Sequence, residues 1–491
     1  MHLDQPTVKH TVPNSKLTAQ FIAQLINQLS TLIGPANVLS SDAEMAPYLS
    51  DWRGRYQGTA LCVARPANSE QVSALVRACA QAKVPMLAQG GNTSLCGGAT
   101  PDNKAATVVI SLARMNSIRQ IDPANGTLTA EAGCVLATLQ TAAEQLGYCF
   151  PLSLASEGSC HIGGNLSTNA GGVHVIRYGN SRALTLGLEV VLPNGDLWNG
   201  LRSLHKDNSG YDLKQLFIGA EGTLGIITAA VLRLFPKPTS QAVAWLALAS
   251  PEAAIAQLTA LQQHFGPALS ACELISADAL ALVLKHIPQT HAPLPNAAAQ
   301  PWHLLIELSG YGMLGQTRAL ADALTDFLHS AINTGAINDA VLAESLTQAR
   351  QLWLLREQIS AAQSQHGPSI KHDISLPISA LPSFMQRAET ALRQHFPQVR
   401  PIVFGHVGDG NLHYNLSLAK ADLGNTDETA INHLIYALVE ALGGSISAEH
   451  GIGQLKRERL LSHKSTVEIG LMRQLKKTLD PHNLMNPGKL L

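Results

Sequence analysis

Charge is scarce in this chain: Asp, Glu, Lys and Arg make up 14% of 491 residues, against about 25% in ordinary globular domains. What charge there is balances, with 34 basic and 35 acidic residues and a formal net charge of -1. No one-signed field therefore exists to draw nucleic acid or an anionic membrane surface. Aromatic residues are few, at 4%, whereas apolar residues reach 46%, enough for large buried cores. No run approaches the ~20 apolar residues that a membrane helix needs. The opening MHLDQPTVKHTVPNSK has no apolar signal core and carries an acid, so secretion is not expected. Seven cysteines stand scattered at 62, 79, 96, 134, 149, 160 and 272 and form no CxxC. Iron–sulfur and zinc-knuckle spacings are thereby excluded. Such thiols fit a reducing compartment, and a cytoplasmic location is expected.

The length calls for two or three domains. Leu17, Phe21, Ile22, Leu25, Ile26, Leu29, Leu32 and Ile33 form an amphipathic helical stripe that Gly34-Pro35 ends. From about residue 59 short strands alternate with helices: TALCVARP as a strand, SEQVSALVRACAQAKV as a helix opened by Ser69, then PMLAQGG and ATVVISLARM as strands. Asn125-Gly126 and Asn194-Gly195 mark hairpin turns. The region from 241 to 455 repeats the mixture, with LIELSGYG as a strand, TQARQLWLLREQISAAQSQ as a helix and RPIVFGHVGDGNLHYNLSL as a strand pair. The stretch 287–301 reads as a surface excursion. The expected division is an N-terminal helical segment (1–52), a first α+β domain (53–238), a second (239–455) and a C-terminal helical segment (456–491).

Three glycine loops carry the first chemistry. AQGGNTSLCGG (88–98) follows a strand and offers consecutive backbone N–H groups as an anion cradle suited to a pyrophosphate. It is neither GxGxxG nor a P-loop, so a nicotinamide or simple nucleotide site is not supported. SEGSCHIGGNLSTNAGGVHVIRYG (156–179) reads as a long polar loop, and FIGAEGTLGII (217–227) sets Glu221 and Gly222 before an apolar strand. Any one of these is an ordinary turn by itself. Three in one domain point to a large phosphate-bearing cofactor.

The second half offers a different constellation. In GHVGDGNLHYN (405–415), a strand over 411–416 puts Asn411, His413 and Asn415 on one face and Leu412, Tyr414 and Leu416 on the other. The Gly-Asp-Gly turn folds His406 back beside His413. These residues alone leave two readings open, a hydrogen-bonded hairpin or half a metal site. SAEHGIG (447–453) supplies Glu449 and His450, and two histidines with a carboxylate suit catalytic zinc or non-heme iron. Which of residues 449 and 450 ligates is not decided by the sequence. Arg356 and Ser360 lie four apart, on one face of an expected helix, and Lys371 follows in SIKHDISLP. They suit a carboxylate, although an exposed arginine beside Glu357 fits the pattern too.

The motifs QGGNTSLCGG, GSCHIGGNLSTNAGG and IGAEGTLGIIT closely resemble the flavin domain of the vanillyl-alcohol oxidase/p-cresol methylhydroxylase superfamily, within it the D-2-hydroxyglutarate and D-lactate dehydrogenase branch. The resemblance runs from about residue 40 to 491. It implies an α+β fold with a two-part FAD-binding domain, an α+β substrate or cap domain whose sheet is flanked by helices, and a C-terminal segment returning to the flavin domain. FAD contacts are implied at Gly90, Gly91, Asn92, Thr93, Ser94, Pro151, Gly158, Ser159, Gly163, Gly164, Asn165, Thr168, Asn169, Gly172, Glu221, Gly222, Ile226 and Asn486. Many relatives hold flavin covalently through a histidine in the first loop; Asn92-Thr93 stand there, so non-covalent FAD is expected.

The resemblance also implies zinc on His406, His413 and Glu449, His450 as general base, and Arg356, Ser360, Lys371 and Asn415 around the substrate. The implied reaction oxidises a D-2-hydroxy acid, D-2-hydroxyglutarate foremost, with D-lactate, D-malate or glycolate as alternatives. A zinc hydrolase would leave the glycine loops unexplained, and a non-catalytic flavoprotein subunit would leave His450 and Arg356 without purpose. The implied electron acceptor is electron-transfer flavoprotein, with a quinone as the alternative, and a homodimer is the implied assembly.

Overall fold

The stripe beginning at residue 17 becomes the helix Ala19–Ile33 in the computed structural model, which describes residues 18–491 except 105, 312–316, 423 and 425. Thr18 caps it by accepting from the Phe21 N–H, and Leu25, Leu29 and Ile33, four apart, turn inward. The expectations for residues 1–16, Leu17 and Gly312 lie outside the described residues.

Two sheets follow. The first runs Val38–Leu39, Cys62–Ala64, Val108–Ser111, Met86–Gln89, the last three mutually parallel. The helix Ser69–Ala82 crosses between them, and its cap is Asn68, not Ser69. Ser69 instead donates its hydroxyl to Glu189. The second sheet is antiparallel, in the order Ile118–Asp122, Thr127–Glu131, Ile226–Arg233, Thr185–Val191, Leu197–Gly200. Both Asn-Gly pairs form its turns, with φ of +61° at Gly126 and +84° at Gly195.

The second half forms one eight-stranded antiparallel sheet. Its spine is Asp339–Leu342, Ser240–Leu248, Trp302–Gly310, Leu269–Ser276, Arg400–His406, Asn411–Ser417 and Ser369–Ile370, with Asp373–Ser375 also paired to Asn411–Ser417. Ala242, Ala244 and Leu246 enter one core while Val243, Trp245 and Ala247 enter another. Helices thus cover both faces, and the strands read as continuous apolar runs. Leu484 and Met485 return to the core of the first half, where Asn486 donates its backbone N–H to the Met86 carbonyl; Leu460, Leu490 and Leu491 pack on the second core. No helix of the described residues is long and apolar enough to cross a membrane.

Three sequence expectations change. The 156–179 stretch is no continuous loop, because it winds into the helices Ile162–Ser167 and Val175–Tyr178. The single helix expected over 347–365 is two, Leu346–Glu357 and Ile359–His366, broken where Gln358 adopts ψ near 0°. The 287–301 excursion is pinned by buried Leu294 and Ala297.

Candidate active site

The strands Arg400–His406 and Asn411–Ser417 pair as the expected hairpin, and Leu412, Tyr414 and Leu416 enter the core. The rings of His406 and His413 come within 5.8 Å, centroid to centroid. Glu449 closes the group, with carboxylate oxygens 3.6 Å from His406 Nε2 and 3.9 Å from His413 Nε2. These separations are too long for hydrogen bonds, and one donor atom from each residue lies within 4.8 Å of the others. Burial pushes the Glu449 carboxyl up to about 7, with His406 opposing. Burial likewise holds His413 well below its ordinary value. A small divalent cation between these atoms would stabilise the ionised carboxylate and bind the neutral imidazole, so the donor set fits a metal.

Asp373, passed over as a site residue in the sequence, organises the other side. Its Oδ2 accepts the backbone N–H groups of Glu449 and His450, each at 2.9 Å, and its Oδ1 accepts from Asn411 Nδ2 at 3.0 Å. Residues 448–450 therefore form a bend. The His450 Nδ1 lies 3.6 Å from the same carboxylate. Burial lowers His450 to about 4 against the pull of Asp373, so the ring is a free base at neutral pH. Burial favours protonation of Asp373, but His450, Lys456 and His413 outweigh it and keep the group ionised.

Arg356 is buried and donates through Nε to Glu273 Oε2 at 2.7 Å, while Glu273 Oε1 lies 2.6 Å from His406 Nδ1. Burial alone would raise the Glu273 carboxyl, yet His406 and Arg356 hold it at about 2. Ser360, beyond the helix break, is exposed and does not continue the Arg356 face. Lys371 has no carboxylate partner among the described residues; burial and then Arg53 lower it to about 8. Asn415 is buried and donates to Gln363 Oε1 at 2.9 Å.

The glycine loops gather beside this cluster. A Cβ on Gly91 would collide with the Ser159 carbonyl, and one on Gly163 would lie 2.7 Å from Ala132 Cβ, so both are needed for close approach. Added carbons on Gly158 and Gly164 would meet nothing within 4 Å. Asn92, Asn169, Glu221 and Asn486 all hold positive φ, between 45° and 53°. Buried Asn92 Oδ1, His161 Nδ1, Asn165 Oδ1 and Asn486 Oδ1 have no partner among the described residues, which fits a cradle for a polar ligand. Thr168 bonds back to the Gly164 carbonyl, Ser94 accepts from the Gly98 N–H, Gly172 is buried, and Ile226 starts its strand. Thr93 flanks Asn92, Gly90 abuts His161, Gly222 faces Asn486, and the Pro151 carbonyl meets His174 Nδ1 at 3.3 Å.

Glu221 joins the two regions. Its carboxylate accepts the N–H groups of Ile452 and Gly453 at 2.7 and 2.8 Å, and its carbonyl accepts from the Asn486 amide at 2.8 Å. A Cβ on Gly171 would lie 3.2 Å from Glu449 Oε1. The cradle and the donor cluster therefore share one wall.

Residues 60–200 match the FAD binding domain family, and residues 237–490 match the C-terminal domain of FAD linked oxidases. The mitochondrial D-2-hydroxyglutarate dehydrogenase of Bos taurus is 38% identical over 93% of this chain and 81% of its own length. The chain belongs to the D-2-hydroxyglutarate dehydrogenase family of FAD-linked oxidases. It is an FAD-dependent oxidoreductase. A second member, from Xanthomonas citri pv. viticola, is 38% identical over 95% of this chain and 96% of its own. The family's fold is that of p-cresol methylhydroxylase, whose solved structure superposes with a TM-score of 0.75 at 18% identity, covering 97% of this chain and 98% of that one.

Two carboxylates that organise the site, Glu273 and Asp373, escaped the sequence reading. The available signal was a lone acid inside an apolar strand, as in LSACELIS.

Proposed function

We propose that this enzyme oxidises D-2-hydroxyglutarate to 2-oxoglutarate with non-covalent FAD and one zinc ion. His406, His413 and Glu449 hold the metal, His450 is the base, and Arg356, Lys371 and Asn415 receive the substrate. The FAD contacts are those given above for the three glycine loops, Pro151 and Asn486. The observation that supports this reading is that Glu221, in the third glycine loop, accepts the N–H groups of Ile452 and Gly453, just beyond Glu449 and His450 in the chain.

Bound FAD supplies the acceptor for the C2 hydride. Bound zinc supplies Lewis acidity that lowers the pKa of the substrate hydroxyl. His450 takes the hydroxyl proton at Nε2, because Asp373 faces its Nδ1 and burial keeps the ring neutral. Arg356 offers its terminal guanidinium nitrogens to a carboxylate, and Lys371 adds a second positive charge. Two cations beyond the metal favour a dicarboxylate over lactate. Electrons then pass to electron-transfer flavoprotein, with a quinone as the other acceptor to try, and a homodimer is the assembly proposed.

The test is the visible spectrum of purified protein under anaerobic addition of single D-2-hydroxy acids. The flavin band should bleach fastest with D-2-hydroxyglutarate; faster bleaching by D-lactate, D-malate or glycolate would reassign the substrate. A protein that carries flavin and bleaches with none of them would contradict the reading.

A further inference from the structure

Glu273 sits in the strand Leu269–Ser276 with no exposed surface. It stands directly opposite His406 in the antiparallel register, so both side chains leave one face of the sheet. The ionised carboxylate only accepts, so a His406 ring that ligates a metal through Nε2 keeps its one proton on Nδ1, 2.6 Å from Oε1. The Nε2 lone pair is then left facing Glu449. On the other side, Arg356 engages Glu273 through Nε alone. Neither of its terminal nitrogens has a partner among the described residues, and the guanidinium carbon lies 4.9 Å from the Phe404 ring centroid. Glu273 and Phe404 together fix the guanidinium plane while leaving its two outer nitrogens for a ligand.

We propose that Glu273 is a positioning residue that ties the metal ligand His406 to the substrate cation Arg356, coupling the two halves of the site through one buried carboxylate. The proposal rests on the roles given to His406 and Arg356 above. A glutamine here keeps one oxygen acceptor and turns an N–H₂ group toward a donor, so one of the two contacts must be lost. A lysine at 356 cannot reproduce the planar Nε–H contact.

The experiment measures Zn2+ affinity by chelator competition on FAD-loaded protein. E273Q should bind zinc about 10–100-fold more weakly than the wild type, with unchanged flavin absorbance and a raised KM for D-2-hydroxyglutarate. R356K, which keeps the charge, should also weaken zinc binding, although among the described residues Arg356 hydrogen-bonds to Glu273 and to none of the metal ligands. The double variant should lose less than the two single losses combined. Single variants that bind zinc like the wild type would overturn the proposal alone, leaving the metal reading intact. Wild-type protein that binds no zinc would overturn the metal reading and this proposal together. If E273Q fails to load FAD, the zinc affinity of R356K decides.

Discussion

The two walls of the active site are built by opposite means. The cradle is shaped mainly by backbone, with close-packed glycines and residues held at positive φ, and the side-chain oxygens of Asn92, Asn165 and Asn486 are buried in it without partners among the described residues. The donor cluster is made of side chains, most of them on strands, and two carboxylates beside it are occupied: Glu273 by His406 and Arg356, Asp373 by two backbone N–H groups and Asn411. A wall shaped from backbone is disrupted by adding atoms. One shaped from side chains is disrupted by removing them.

That contrast orders the expected effects of substitution. His450→Ala removes the proposed proton acceptor and should slow anaerobic flavin bleaching by about 10²–10⁴-fold, with the flavin spectrum itself retained. Bleaching at the wild-type rate would remove His450 from the mechanism. Gly91→Val does the reverse: its side chain collides with the Ser159 carbonyl, so protein should be purified without flavin while zinc binding persists. A fully flavinated Gly91→Val protein would show that the cradle tolerates bulk and lies elsewhere.

Much of this comparison was legible in the sequence, and unevenly so. Backbone devices leave contiguous marks: glycine clusters, the Asn-Gly turns, and the period-2 alternation that put Asn411, His413 and Asn415 on one face. Side-chain devices assembled across strands leave almost none. Glu273 and His406 are 133 positions apart and meet only through strand register, which a single sequence does not specify. Asp373 looked like a strand residue because its backbone partners, Glu449 and His450, lie in another segment. The helix break at Gln358 also had no glycine or proline to announce it, so Ser360 was assigned to the Arg356 face.

Smaller effects sharpen the comparison further. Lys371, lowered to about 8 by burial and Arg53, is a cation below that pH and loses its charge above it. The KM for D-2-hydroxyglutarate should therefore rise as pH passes 8, and Lys371→Met should be weak at every pH with that rise abolished. An unchanged pH profile in Lys371→Met would exclude a substrate contact. The Asn486 amide donates to the carbonyls of Gly98 and Glu221, so Asn486→Ala should cost about 1–3 kcal/mol of stability, read as a lower temperature of flavin release. No shift would mean that the C-terminal return does not brace the cradle.

The central claim is that a metal held by His406, His413 and Glu449 and a flavin in the neighbouring cradle act on one substrate. It is tested most directly by anaerobic titration with D-2-hydroxyglutarate before chelation, after chelation and after adding back Zn2+. The account predicts that chelation leaves the flavin spectrum intact, abolishes bleaching, and that zinc restores it. Bleaching at the original rate in protein shown by elemental analysis to be metal-free would contradict it.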